Sequence, residues 1–165
     1  MLHQRMKIVP VGYDIDIDGA ADNYGASINM KNFHRATFIC QYMDLGVASH
    51  VVKFYSGAAV STYTSTVPFH YAAGTAAVSA VTTATANQDV FGATTACAAT
   101  GLTVVDTDDH KVYVFVVDAS DMDIANQEEW LSIDFNDPGG ATGQATVIAI
   151  LEPRYSSDAS ATALA

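Results

Sequence analysis

Three short apolar runs near the C-terminal end constrain this chain more than any other feature: Val112–Val117, Trp130–Phe135 and Ala145–Leu151. Each is rich in β-branched and aromatic residues and is bounded by Asp, Asn, Gly or Pro, the punctuation of strands. In the first run, Val112, Val114 and Val116 alternate with Tyr113, Phe115 and Val117. Both faces are therefore apolar, and a central strand covered on both sides is expected. In the second, Leu131, Ile133 and Phe135 share one face while Ser132 and Asp134 share the other. That is the pattern of a half-exposed antiparallel strand. The third run is apolar almost throughout. Together they predict an all-β fold, an antiparallel β-sandwich.

Earlier segments extend the same reading. In Arg35–Tyr42, Ala36, Phe38, Cys40 and Tyr42 fall on one face, and Arg35, Thr37, Ile39 and Gln41 on the other. Strands are expected over Ala36–Tyr42, Val51–Tyr55, Val112–Val117, Leu131–Phe135 and Thr146–Leu151. From Ala72 to Thr100 Ala and Thr dominate, with no 3.6-residue stripe, so extended pieces joined by loops are expected there. Asp118–Glu129 reads as a long polar connection with room for one helical turn. The 165 residues are long enough to bury a core without covalent staples. Residues 1–28 are read as an N-terminal arm or edge strand, 29–155 as the sandwich, and 156–165 as a flexible tail.

Charge and composition narrow the function. A net charge of -11 with only seven Lys and Arg leaves no basic patch for nucleic acid. The acids are spread over turns instead of forming the dense arrays of a DNA mimic. No apolar run is long enough to cross a bilayer, so no membrane partner is expected. The first residues lack the apolar core of a signal peptide, which predicts a protein made in a cytoplasm. Cys40 and Cys97 are too few for a disulfide framework, and whether they pair is open at this level.

Two acidic stretches invite a metal reading. Asp14, Asp16 and Asp18 followed by Gly19 match the front half of an EF-hand loop. The back half fails, since position twelve is Gly25 where a bidentate Glu belongs. A solvated strand edge fits better. Asp106, Asp108, Asp109 and His110 read as a tight hydrated turn, because no second ligand cluster accompanies them. The five histidines, His3, His34, His50, His70 and His110, have no i,i+2 or i,i+4 partner. No nucleophile elbow, zinc-protease helix, Walker loop or dinucleotide fingerprint occurs. No catalytic, cofactor-binding or metal residues are assigned, and no enzyme is expected.

Three motifs carry a family resemblance: Met30–Ile39, the segment Tyr113–Met122 with its V-D-A-S-D-M turn, and the ending Ile150–Tyr155 with Pro-Arg-Tyr. In this pattern the chain resembles small virion structural proteins of tailed bacteriophages, of the head decoration (cement) or auxiliary capsid type. The resemblance covers about Asn29 to Tyr155, and the Ala/Thr-rich middle matches no motif. It implies a jelly-roll-like form of the sandwich, a virion location on the capsid surface, the major capsid protein as partner, and self-association as a homotrimer. A different class remains open beside it: a virion-borne glycan- or host-surface-binding β-sandwich, with Tyr24, Tyr55, Tyr63 and Tyr71 as a sugar platform.

Overall fold

The computed structural model describes residues 5–17, 23–46, 49–78, 87–136, 140, 142–155 and 162–164. Two antiparallel six-stranded sheets pack face to face as a sandwich. Sheet A holds β1 (Lys7–Asp16), β12 (Gln144–Pro153), β4 (Phe33–Tyr42), β10 (Val112–Asp118), β7 (Phe69–Ala73) and β8 (Thr95–Cys97), in that spatial order. Sheet B is ordered β2 (Asn23–Tyr24), β11 (Trp130–Asn136), β5 (His50–Gly57) and β6 (Ser65–Val67). Its remaining strands are β3 (Ile28–Asn29), paired with β11, and β9 (Leu102–Val104), paired with β5. With β3, β7, β8 and β9 set aside, the orders β1-β12-β4-β10 and β2-β11-β5-β6 are those of a jelly roll. The segment between β6 and β10, which holds the Ala/Thr-rich middle, thus widens sheet A by two strands. Residues 79–86, inside that stretch, lie outside the described residues.

The five expected strands all form, each longer by one to three residues at an end. Alternation sets the core: Phe38, Cys40, Tyr42, Phe115, Val117, Val147 and Leu151 come from sheet A, and Val52, Phe54, Leu131, Ile133 and Phe135 from sheet B. Phe54 lies at the centre, its ring centroid 4.9 Å from Phe38, 5.0 Å from Phe69 and 5.8 Å from Phe115. Cys40 is buried and Cys97 half-buried, and both are free thiols. Burial pushes the Cys40 thiol pKa up, which leaves it an inert core group. The expectation of a frayed tail does not describe residues 162–164. Asn29 N–H donates to the Ala163 carbonyl at 2.8 Å, and the Ala163 side chain is buried.

Both acidic stretches have structural uses. Ile15 packs against the core and Ile17 is buried, which turns Asp14 and Asp16 outward at the end of β1. Asp18 lies outside the described residues. Gly25 is wedged between the sheets: a Cβ there would stand 2.6 Å from Val11 Cγ1 and 2.9 Å from Ile133 Cγ2. That position closes the sandwich instead of facing an ion. In the second stretch Asp106–Asp108 forms a 3-10 turn. Asp108 accepts hydrogen bonds from Lys111 Nζ at 2.7 Å and Tyr113 Oη at 2.8 Å, and Asp109 accepts from Leu45 N–H.

The Asp108 network has a pH consequence. Burial would raise the Asp108 carboxyl, but the hydrogen bonds from Lys111 and Tyr113 and the Lys111 charge outweigh it and hold the pKa low. A carboxylate with a depressed folded pKa adds stability above its unfolded value, about 3.9, and loses it as pH falls through the folded value. Asp108→Asn is therefore expected to cost about 1–2 kcal/mol at neutral pH. The difference in melting temperature from the parent chain should shrink below about pH 4, which thermal melts across that range would show.

Candidate interaction face

The two outer faces of the sandwich are finished in opposite ways. On sheet B, Ser132 and Asp134 point away from the core, yet only 1% and 0% of their surface is exposed. The half-exposed strand expected for Leu131–Phe135 is therefore buried on both sides. The cover comes from the chain itself. Tyr24 pairs with Asp134 and Tyr55 with Ser132 across the sheet, which puts both rings on this outer side. Tyr63, from the β5–β6 loop, stacks on Tyr24 at 3.5 Å with the rings parallel. Ser27 Oγ hydrogen-bonds Ser132 Oγ at 2.8 Å and accepts from Ser61 N–H at 3.1 Å, tying that loop down. Alanine at Gly57 would drive its Cβ into the Thr62 carbonyl, so glycine is what lets the loop fold this close.

The connection from β10 to β11 is fastened to the same sheet. It contains 3-10 turns at Ala119–Asp121 and Ile124–Asn126, then reaches Glu128, which is buried. Its carboxylate accepts from Ser56 Oγ of β5 at 2.6 Å and Ser65 Oγ of β6 at 3.2 Å.

Among the described residues, sheet A is bare where sheet B is covered. Its cross-strand register places Pro10, Ile148, Ile39, Val114 and Ala72 side by side in one row on the outer face. The adjacent row is Ile8, Ile150, Thr37, Val116, His70 and Ala96. Ile8, Ile39 and Ile148 are 46%, 37% and 43% exposed, high values for isoleucine in the middle of a sheet. No acid stands in either row. Arg35, flanked by Glu152 and Asp118, forms the charged rim at one end, and Thr146, Gln41 and Val112 form a polar-to-apolar rim at the other. The face is grooved at its β1 side, where Pro10, Gly12, Tyr13, Thr146 and Ile148 line a hollow of about 310 Å³. The sequence expectation that Val112, Val114 and Val116 lie under a second cover is corrected: they are only half-buried, and no element of the described residues lies over them.

With a strand spacing of about 4.8 Å and about 6.8 Å between successive same-face residues, five strands by two rows give a face of about 330 Å² in projection, apolar except at Thr37 and His70. Patches of roughly 300–600 Å² on a protein surface are often functional.

Other sequence candidates are not brought together. Of the four tyrosines, Tyr24, Tyr55 and Tyr63 meet on sheet B, whereas Tyr71 sits on β7 of sheet A and packs against the core. The stacking of Tyr24 on Tyr63 occupies one face of each ring. His50 is buried beside the Tyr42 hydroxyl at 3.1 Å, while His34 and His70 are exposed on different rows of sheet A. Among the described residues, no group of three His, Cys, Asp or Glu side chains is placed to hold a metal ion. Sequence reasoning missed the bare face, although the signal was present: three strands adjacent in space, β12, β4 and β10, each carry apolar residues on both sides. Compared with known proteins, the chain matches no protein-family model, no curated protein and no solved structure.

Proposed function

We propose that this chain is a non-enzymatic structural subunit of a virion, a capsid decoration (cement) protein that stabilises a phage head by bridging capsomers. The observation that carries the reading is the bare apolar face of sheet A on a chain whose net charge is -11. Leaving Ile8, Ile39 and Ile148 in water costs hydrophobic free energy that a second protein surface would recover, at about 25 cal/mol per Å² of apolar area. The resemblance to auxiliary head proteins supplies the setting, and jelly rolls are a common architecture of virion proteins. In such a role the fold provides a rigid block and the face provides the contact through which subunits assemble. Repetition over a shell multiplies a modest contact into strong retention.

The test is binding to phage heads that lack the protein. Saturable binding at a fixed ratio to the major capsid protein is expected, with heads that resist heat better once decorated. Absence of any binding to such heads, together with saturable binding to a glycan array, would replace this reading with the host-surface one.

A further inference from the structure

We infer that the occupant of the sheet A face is a second copy of this chain, packed back to back about a two-fold axis; this rests on the reading of the chain as an assembly subunit. Charge selects the surface. Two copies each carrying -11 repel over most of their surface, but no Asp, Glu, Lys or Arg stands in the two central rows of sheet A. This is the face on which two such chains can approach without setting acid against acid.

Shape and pattern fix the arrangement. A two-fold contact is self-complementary, so the same patch must serve both sides. For two sheets packed face to face, the axis lies in the plane between them. An axis running across the strands, between the Ile39 row and the Thr37 row, superposes each apolar row on the other apolar row of the partner. It also sets the Arg35–Asp118–Glu152 rim over the uncharged Thr146–Gln41–Val112 rim. An axis along β4 would instead bring Glu152 near the second copy's Asp118 position, acid against acid. The first arrangement is the one the charges allow.

Extent is of the right order. Two central rows across five strands and two rims across three give roughly 520 Å² in projection, and side-chain relief raises the accessible area further. A stable interface buries about 800 Å² per partner, with an apolar centre and a polar rim. Sheet faces stack at about 10 Å, which the exposed isoleucines of the two copies would fill. A pair built this way presents every remaining surface twice, once to each side. That is what a subunit bridging two capsomers requires. The three-fold association implied by the family resemblance would need two different complementary surfaces, and a flat face paired with itself does not supply them.

The experiment is sedimentation velocity of the purified full chain over a wide concentration range at low and high salt. A dimer is expected, tighter at high salt because the contact is apolar and the repulsion is screened. Ile148→Asp and Ile8→Asp should each weaken it at least about a hundredfold, as loss of a buried interface anchor does. Both should melt within a few degrees of the parent, since both side chains are exposed in the single chain. A Cys97→Ser, Thr37→Cys double variant, with its new thiol near the axis, should give a covalent dimer with a short bis-maleimide, whatever the aspartate variants do. A chain that stays monomeric at every concentration and salt overturns the inference, as does a dimer that survives Ile148→Asp and yields no cross-link. The two readings fail separately. A monomer that still saturates heads, and loses this with Ile148→Asp, leaves the decoration role standing with the shell as occupant. A dimer that binds no heads leaves the pairing and removes the decoration role.

Discussion

Phe54→Ala is expected to lower the stability of this chain by about 3–5 kcal/mol, the usual cost of emptying a fully buried phenylalanine site. In a chain of this length that corresponds to a fall in melting temperature of roughly 6–20 °C. The expectation rests on position. Phe54 projects from sheet B with none of its surface exposed, and Phe38, Phe69 and Phe115 reach it from sheet A. It is the point at which the two sheets, and the inserted strand β7, are held together. The surrounding strands are fixed by cross-strand pairing on both sides, so the site has little freedom to collapse around the void. Phe54→Leu, which keeps most of the volume, should recover over half of the loss. Denaturant melts followed by circular dichroism would show both. A Phe54→Ala variant within 1 kcal/mol of the parent would mean that the sheets are held elsewhere.

Glu128→Ala is the second large effect expected, at about 2–3 kcal/mol. Ser56 Oγ is fully buried and donates to this carboxylate at 2.6 Å, so the substitution strands a hydroxyl away from water. It also unfastens the long connection between β10 and β11 from the β5–β6 hairpin, since Ser65 Oγ loses the same acceptor. Two readouts should therefore move together: global stability falls, and the segment around Ile124 is cut faster in limited proteolysis. Glu128→Gln keeps one acceptor oxygen and the shape, and is expected to lose less by both measures. Faster cleavage without loss of stability would show that the tether orders the connection only.

Much of the scaffold was legible in the residues because periodicity and burial are coupled in a sandwich. The alternation of Tyr113, Phe115 and Val117 with three valines gave the register of β10, and Ala36 to Tyr42 gave the buried face of β4. What alternation does not encode is which outer face the chain covers with its own loops. Ser132 and Asp134 look solvent-facing on a two-residue period, but Tyr24, Tyr55 and Tyr63, distant in sequence, close over that side. Conversely, the valines of β10 imply a cover that no described element provides. Extended pieces were expected in the Ala/Thr-rich stretch, but their bounds were beyond the reach of period-two reasoning. β8 is only three residues long, and β7 is set mainly by pairing with β10.

The candidate face was half legible. Apolar residues on both sides of three strands announced that a second surface existed, but the adjacency of β12, β4 and β10 needed the topology. Only then do Pro10, Ile148, Ile39, Val114 and Ala72, drawn from five separate strands, become a single row. The glycan alternative shows the opposite limit. Four tyrosines looked like a platform in the sequence, whereas three of them cluster on sheet B, Tyr24 stacked on Tyr63 with Tyr55 edge-on to both, and the fourth belongs to the other sheet.

The central claim, that the outer face of sheet A is an assembly surface, is tested most directly by a cryo-electron microscopy map of the particle that carries this chain. The map should show Ile8, Ile39 and Ile148 of every copy buried against another protein surface, with the tyrosine-covered face of sheet B turned elsewhere. A map in which those three isoleucines face open solvent in the assembled particle would contradict it.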